Sequence, residues 1–307
     1  MHPNLRPVAL PPAQQIASTR NILIGIACMG LAGLHFSLMG GIAKLLGQTY
    51  SSVQVSWVRA AVHLVFLSAV FLPRYGTGVL RTRKPVLQLS RAAMLTTSNL
   101  CFFFAITFIP LAKASAVSLA APLIVALLAW PLLRERTTPL RVASVLLGFA
   151  GVLVVIRPGG EVFHPASLLV LVSASAYGVY QILTRMVSPF DQPATSALWA
   201  PLTGAGLLLL AQPWVWENPR SLADCGLFLA CGALGAVGHY LVAQSLRFAP
   251  ANIASPFQYL QLLAAVGVGY MLFDDWPDAL TWVGAGIIVS AGLILAWSQT
   301  APRRLSS

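Results

Sequence analysis

The chain has 307 residues, of which 57% are hydrophobic and only 9% charged, with a mean hydropathy of +0.78 and a formal net charge of +11. A soluble domain devotes about a quarter of its residues to charge, so this chain lacks the polar surface to face water. Its apolar runs approach 20 residues and are not short alternating segments, which excludes a membrane β-barrel and predicts an all-α integral membrane protein.

Residues 1–20 are polar and proline-rich (Pro3, Pro7, Pro11, Pro12) and predict a disordered tail. The first apolar stretch is too long for the core of a cleaved signal peptide, and no small-residue cleavage site follows it at the right distance. Ten spans are read after the tail, at roughly 21–46, 53–72, 92–109, 113–133, 140–156, 166–187, 194–212, 223–246, 252–273 and 279–298, before a short tail over 299–307. Turn chemistry separates them: Gly47-Gln48-Thr49, Pro73-Arg74-Tyr75-Gly76, Arg157-Pro158-Gly159-Gly160, Gln212-Pro213 and Asp274-Asp275-Trp276-Pro277. The longest connection, 73–91, is rich in cations, and all are too short to hold a soluble catalytic domain.

The chain repeats itself. Phe108-Ile109-Pro110 answers Phe248-Ala249-Pro250, Ala114-Ser115 answers Ala254-Ser255, and Trp130-x-Leu132 answers Tyr270-x-Leu272, each at an offset of 140. Both copies end an apolar run on an acid, Glu135 and Asp275. Such duplication marks a transporter built of two related halves, here 21–157 and 164–298.

Assigning loops alternately from a cytoplasmic amino terminus puts fourteen of the 19 cations on that side, among them Arg74, Arg81, Arg83, Lys84, Arg91, Arg141, Arg185 and Arg247. Glu161, Glu217, Asp224, Asp274, Asp275 and Asp278 fall on the other. This is the positive-inside pattern with an even span count, so both termini are expected in the cytoplasm. Five spans per half then invert the second half relative to the first, placing their interface near the bilayer midplane. The basic balance is a topology signal. A nucleic-acid partner would need a basic face with interleaved aromatics, and none is present. Cys28, Cys101, Cys225 and Cys231 lack metal-type spacing, and there is no phosphate loop, zinc motif or nucleophile elbow. No cofactor is expected.

The stretch from Phe103-Phe104-Ala105-Ile106-Thr107-Phe108-Ile109-Pro110-Leu111-Ala112-Lys113-Ala114-Ser115 through Pro122-Leu123 to Arg134-Glu135-Arg136, and then Gly148-Phe149-Ala150-Gly151-Val152, resembles the EamA-type, ten-helix branch of the drug/metabolite transporter superfamily. Lys44, Arg59 and Gln181-Ile182-Leu183-Thr184-Arg185 share in the resemblance, which covers about 20–298. It implies a carrier of small organic metabolites in the inner membrane, with a central cavity lined mainly by helices 1, 3, 4, 6, 8 and 9.

Polar residues within spans are the candidates for a site, because each is costly in lipid. His239 in span 8 and its repeat-mate Asn99 in span 3 place polar groups at one depth. His35 and His63 also sit mid-span; for each histidine the alternative is a structural bond to a neighbouring helix. Span 9 carries Ser255, Gln258 and Gln261 at intervals of three, a polar stripe beside Tyr259 that suits a polar or zwitterionic ligand, or else glues helices together. Tyr177, Tyr180 and Gln181 in span 6 and Trp57 in span 2 offer faces for a planar or cationic ligand, or simply aromatic packing. Arg59, one to two turns inside span 2, receives a substrate carboxylate or bonds helix-end carbonyls, and available snorkelling favours the second. Lys44, Glu135 and Arg185 are candidates for gating or structural charges. The leading expectation is a secondary carrier of an amino-acid-like, vitamin-like or nucleoside-like metabolite. A lipid-modifying membrane enzyme or a non-transporting sensor or scaffold remains the alternative.

Overall fold

The computed structural model describes residues 19–133, 138–160, 163–249 and 251–300, which form helices joined by short connections, with no strand among them. The helices are α1 (Thr19–Leu46), α2 (Ser52–Tyr75), α3 (Pro85–Ile106), α4 (Leu111–Ser118), α5 (Ala121–Leu133), α6 (Pro139–Ile156), α7 (Ala166–Val187), α8 (Pro193–Leu209), α9 (Gln212–Val215), α10 (Leu222–Phe248), α11 (Ala251–Ala254), α12 (Leu260–Phe273) and α13 (Ala279–Thr300). Short 3₁₀ turns occupy Thr77–Leu80 and Ser255–Tyr259.

Local chemistry explains where helices start and stop. Ser51, Thr138 and Ser221 accept hydrogen bonds from the first-turn amides of α2, α6 and α10, and proline opens α3, α6 and α8, where its missing N–H costs nothing. Asp274 ends α12 in the left-handed conformation, and Arg157 ends α6 the same way. Two expected spans are broken. The fourth divides into α4 and α5 just before Pro122, and the ninth passes through a 3₁₀ turn containing Pro256, because proline removes an amide and disfavours helix in the residue before it.

Nine stretches among the described residues are long and apolar enough to cross a membrane. The expected seventh span, 194–212, is instead the 17-residue α8 followed by the separate short α9. Leucines and valines such as Leu23, Val65, Leu146, Leu153, Leu210 and Leu263 cover the outside of the bundle, as a surface in contact with acyl chains requires.

Packing runs across the two halves of the sequence. The extensive contacts pair α1 with α10 and α12, α3 with α7 and α8, α2 with α8 and α10, α5 with α7, and α6 with α13. Every pair joins a helix before residue 158 to one after it. Small residues permit this closeness. A Cβ on Gly151 would lie 2.9 Å from the Gly284 carbonyl, and one on Gly284 would lie 2.8 Å from that of Gly151. Backbone cannot swing aside, so Gly151→Leu is expected to push α6 off α13 and cost about 1–3 kcal/mol. Denaturant unfolding in micelles measures this, and unchanged stability would mean that the contact is not made.

Candidate functional site

A cavity sits where α2, α3 and α8 meet. Ser56, Arg59 and His63 face it from α2, at spacings that place them on one side of the helix. Thr96 and Asn99 line it from α3, and Pro201 and Gly204 from α8, which approaches closely because a Cβ on Gly204 would already lie 3.0 Å from the Thr96 hydroxyl. Thr96 and Asn99 donate back to the carbonyls of Ala92 and Leu95, each at 2.9 Å.

The three α2 residues are otherwise. Arg59 and His63 are each 7% exposed and Ser56 2%, yet Arg59 Nε, His63 Nε2 and Ser56 Oγ have no hydrogen-bond partner. Among the described residues Arg59 makes no ion pair, and its guanidinium carbon stands 5.8 Å from the centre of the Phe103 ring. The alternative of bonds to helix-end carbonyls is not what the geometry shows. Next to it, the His63 ring stacks on His239 of α10 at 5.4 Å and 12°, and Phe36 of α1 meets His239 edge-on at 5.0 Å. The cavity leaves about 20 Å³ for the centres of water molecules, room for a water or so and not for a metabolite. Helices must separate before anything larger enters.

Polar clusters sit at both ends of the bundle. At one end Lys44 donates to the Asp275 carboxylate at 2.6 Å and to the Ile109 carbonyl at 3.3 Å, and lies 4.6 Å from the Phe273 ring centre. It thereby ties α1 to the α3–α4 junction and to the end of α12. At the same end Arg157 pairs with Asp278, Tyr50 with Asp224 (2.6 Å), and Gln54 exchanges two bonds with the backbone of Glu217. At the opposite end Arg91 donates to Thr184 Oγ1 (2.7 Å), the Ser196 carbonyl (2.9 Å), Gln88 Oε1 (3.2 Å) and Tyr180 Oη (3.1 Å). Gln88 in turn reaches Ser196 and Asp191, and Asp191 also receives the Thr82 hydroxyl and the Arg83 amide. Partial burial works against the Asp191 charge, but these donors and the Arg83 charge outweigh it and hold the carboxyl below its ordinary value.

Of the residues singled out from sequence, Asn99 lines the cavity and His239 adjoins it. Trp57 instead donates to the Ala205 carbonyl (3.0 Å) and packs edge-on against Trp216, and His35 bonds the Leu31 carbonyl of its own helix at 2.8 Å. Tyr177 and Tyr180 stack at 5.5 Å, with Tyr180 held by Arg91; Gln181 beside them is half-buried. Gln258 lies in the 3₁₀ turn and Gln261 in the first turn of α12, whose backbone packs against Gly33 and accepts the Ser37 hydroxyl at 3.0 Å. Neither lines the cavity. Tyr259 fits against Gly292, where a Cβ would collide with its hydroxyl. Arg185 is exposed. Glu135 and the side chain of Ser255 lie outside the described residues.

An EamA-like transporter family model matches residues 23–157 and again 164–297. The chain belongs to the EamA-like transporter family. This EamA-like chain is 29% identical to a riboflavin transporter of Rhizobium johnstonii over 89% of its own length and 91% of the relative's. It is 25% identical to an S-adenosylmethionine uptake transporter of Rickettsia conorii (91% and 95% covered) and 26% identical to a pseudopaline exporter of Pseudomonas aeruginosa (89% and 95%). A crystal structure with 20% identity superposes with a TM-score of 0.61, covering 93% of this chain and 99% of that one, a likeness of fold. The protein is therefore a multi-pass membrane transporter, which in bacteria places it in the inner membrane.

Two features of this EamA-like bundle escape a reading of sequence. Arg91 looks like a loop cation at the end of 73–91, but α3 begins at Pro85 and buries Arg91 to 3% exposure. The stacking of His63 on His239 joins residues far apart in the chain. A helix start marked by Pro85 signals the first; nothing local signals the second.

Proposed function

We propose that the protein is a secondary transporter that moves a small polar organic metabolite across the inner membrane by alternating access. The observation that carries this reading is the cavity between α2, α3 and α8, of which only α3 belongs to the helices that the resemblance implies, where a permanent cation and two further polar side chains lie buried without hydrogen-bond partners, each costly inside a membrane.

The packing supports an inverted repeat of ten membrane helices with both termini in the cytoplasm. Count the spans in order, taking α4 with α5 as the fourth and α11 with α12 as the ninth. Advancing each by five turns the contact α1–α10 into α7–α3, α1–α12 into α7–α5, and α2–α10 into α8–α3, while α2–α8 and α6–α13 map onto themselves. A pseudo-two-fold axis in the membrane plane produces such matching. The double match to the family model agrees with it.

The same pairing defines the moving bodies. One group is α1, α2, α10 and α12, the other α3, α4, α5, α7 and α8, so each takes helices from both halves of the chain. At the Lys44 end α1 also approaches α3 and α4, whereas α7 makes no comparable approach to α10 or α12 at the opposite end among the described residues. This asymmetry supports a state closed at the Lys44 end, the periplasmic side by the charge bias, with the cytoplasmic side the one poised to open.

Relatives named for riboflavin and for S-adenosylmethionine suggest cargo that combines a fused heterocycle with polar substituents. The family reading covers both directions, since one relative is named an uptake transporter and another an exporter. Entrance counterflow in proteoliposomes tests the proposal, with riboflavin, S-adenosylmethionine, nucleosides and amino acids as labelled probes. Accumulation of at least one above protein-free vesicles is expected. If none accumulates, transport is not what this chain does.

A further inference from the structure

The unpartnered guanidinium asks for a ligand. We propose that Arg59 is the anchor for a single carboxylate on the transported metabolite, with Ser56 and His63 completing the polar pocket around that group. The inference rests on the transport reading and narrows its substrate class.

Four observations point the same way. First, the arginine is placed for a ligand and not for the fold: it is buried, sits in a cavity wall and has no acceptor among the described residues. A guanidinium in that position lacks the compensation that burial demands, and a carboxylate supplies it with two parallel hydrogen bonds. Second, Ser56 Oγ and His63 Nε2 are unpartnered on the same face of α2, one turn to either side. A hydroxyl and an imidazole nitrogen are suited to the remaining lone pairs of a carboxylate or to a neighbouring polar group on the same molecule.

Third, Arg59 is the sole arginine or lysine among the described residues of the cavity lining, which argues for one negative charge. A phosphate monoester or a dicarboxylate would bring a second charge into a low-dielectric space with nothing to meet it. Fourth, much of the rest of the lining is apolar, with Ala60, Leu95, Ala200, Pro201 and Leu208 facing the same space. The body of the ligand is therefore expected to be compact and largely apolar or planar, with its charge at one end.

Nature of the residue also matters. Lysine would offer a point charge, whereas the planar fork of arginine fixes the orientation of a carboxylate plane. Phe103, 5.8 Å from the guanidinium carbon, backs the cation with a ring face.

The test uses full-length protein reconstituted in liposomes and a mixture of matched probes: nicotinate, indole-3-acetate and free amino acids, each with its uncharged or carboxyl-amidated counterpart. Uptake is read compound by compound by mass spectrometry. Wild type is expected to favour at least one carboxylate over its amide by about tenfold or more, as a site built for a polar group does against an analogue lacking it. Arg59→Gln is expected to lose that preference and Arg59→Lys to keep part of it. Acids and amides accumulating equally, or an undiminished preference in Arg59→Gln, would overturn the carboxylate anchor and leave transport standing. No compound exceeding protein-free vesicles would remove the transport reading and the anchor with it. Stability supplies a readout independent of any substrate. Because Arg59 gives up no hydrogen bond or ion pair among the described residues when replaced, only the distant Phe103 ring contact, Arg59→Gln is expected to melt at or above the wild-type temperature. A clear fall would assign the residue to the fold instead.

Discussion

Joining Gly47 to Thr107 by a disulfide is expected to drop uptake to the protein-free level, and reductant to restore it. Gly47 follows α1 and Thr107 follows α3, so the bridge fastens one proposed moving group to the other at the Lys44 end. The two positions touch: a Cβ on Gly47 would lie 2.5 Å from Thr107 Cγ2, the atom whose place a cysteine sulfur would take. The experiment is done with Cys28, Cys101, Cys225 and Cys231 replaced by alanine, since all four are free thiols. In the closed state the bridge replaces a contact already made, so the oxidised protein should remain folded. Opening at that end requires α1 and α3 to part, and a covalent link forbids it. Transport by the oxidised protein at the reduced rate would show that these helix ends do not separate, and the alternating-access reading across these groups would be wrong.

Composition and hydropathy are enough to make this chain a bundle of membrane helices, because lipid forces every backbone amide into local hydrogen bonds. What they cannot supply is the interruption of a helix. Pro122 and Pro256 are visible in the sequence, yet a stripe of Ser255, Gln258 and Gln261 presumes a continuous helix, and the 3₁₀ turn over Ser255–Tyr259 breaks the register between Gln258 and Gln261. Helix starts are legible when chemistry marks them. Pro85 marks the start of α3, but the run of cations around it reads as loop, and Arg91 is taken for a topology charge when it is a buried hub.

Arg59 teaches a different lesson. The residue stands out in the sequence as a charge inside a span, and its significance depends on who does not touch it. An empty first coordination sphere is a tertiary property, set by how Phe103, Gly204 and Gly235 pack around α2. His63 and His239 carry the same message, since each is an isolated polar residue in its own span and only the approach of α2 to α10 makes them a stacked pair.

Replacing Arg91 with alanine is expected to cost on the order of 3 kcal/mol of stability, the reverse of what is expected at Arg59. The guanidinium of Arg91 makes four hydrogen bonds, to groups on α3, α7 and α8, and covers the Tyr180 ring with its carbon at 4.7 Å from the centroid. A hydrogen bond from a charged donor contributes about 1.5–3 kcal/mol, and removing the donor leaves the Ser196 carbonyl and Thr184 hydroxyl to find new partners in a buried site. Repair by water and by rearranged side chains recovers part of that loss, which places the net effect nearer one or two such bonds than four. Denaturant unfolding in micelles and the yield of folded protein both read it. Arg91→Lys should recover only a fraction, because an ammonium cannot span Thr184, Ser196 and Tyr180 from one plane. Two buried arginines in neighbouring helices are thus separated by one measurement: the one with its acceptors in place holds the bundle together, and the one without them is left for the cargo. Equal destabilisation by both substitutions would mean that Arg59 has protein partners after all, and the cavity would lose its claim to be the binding site.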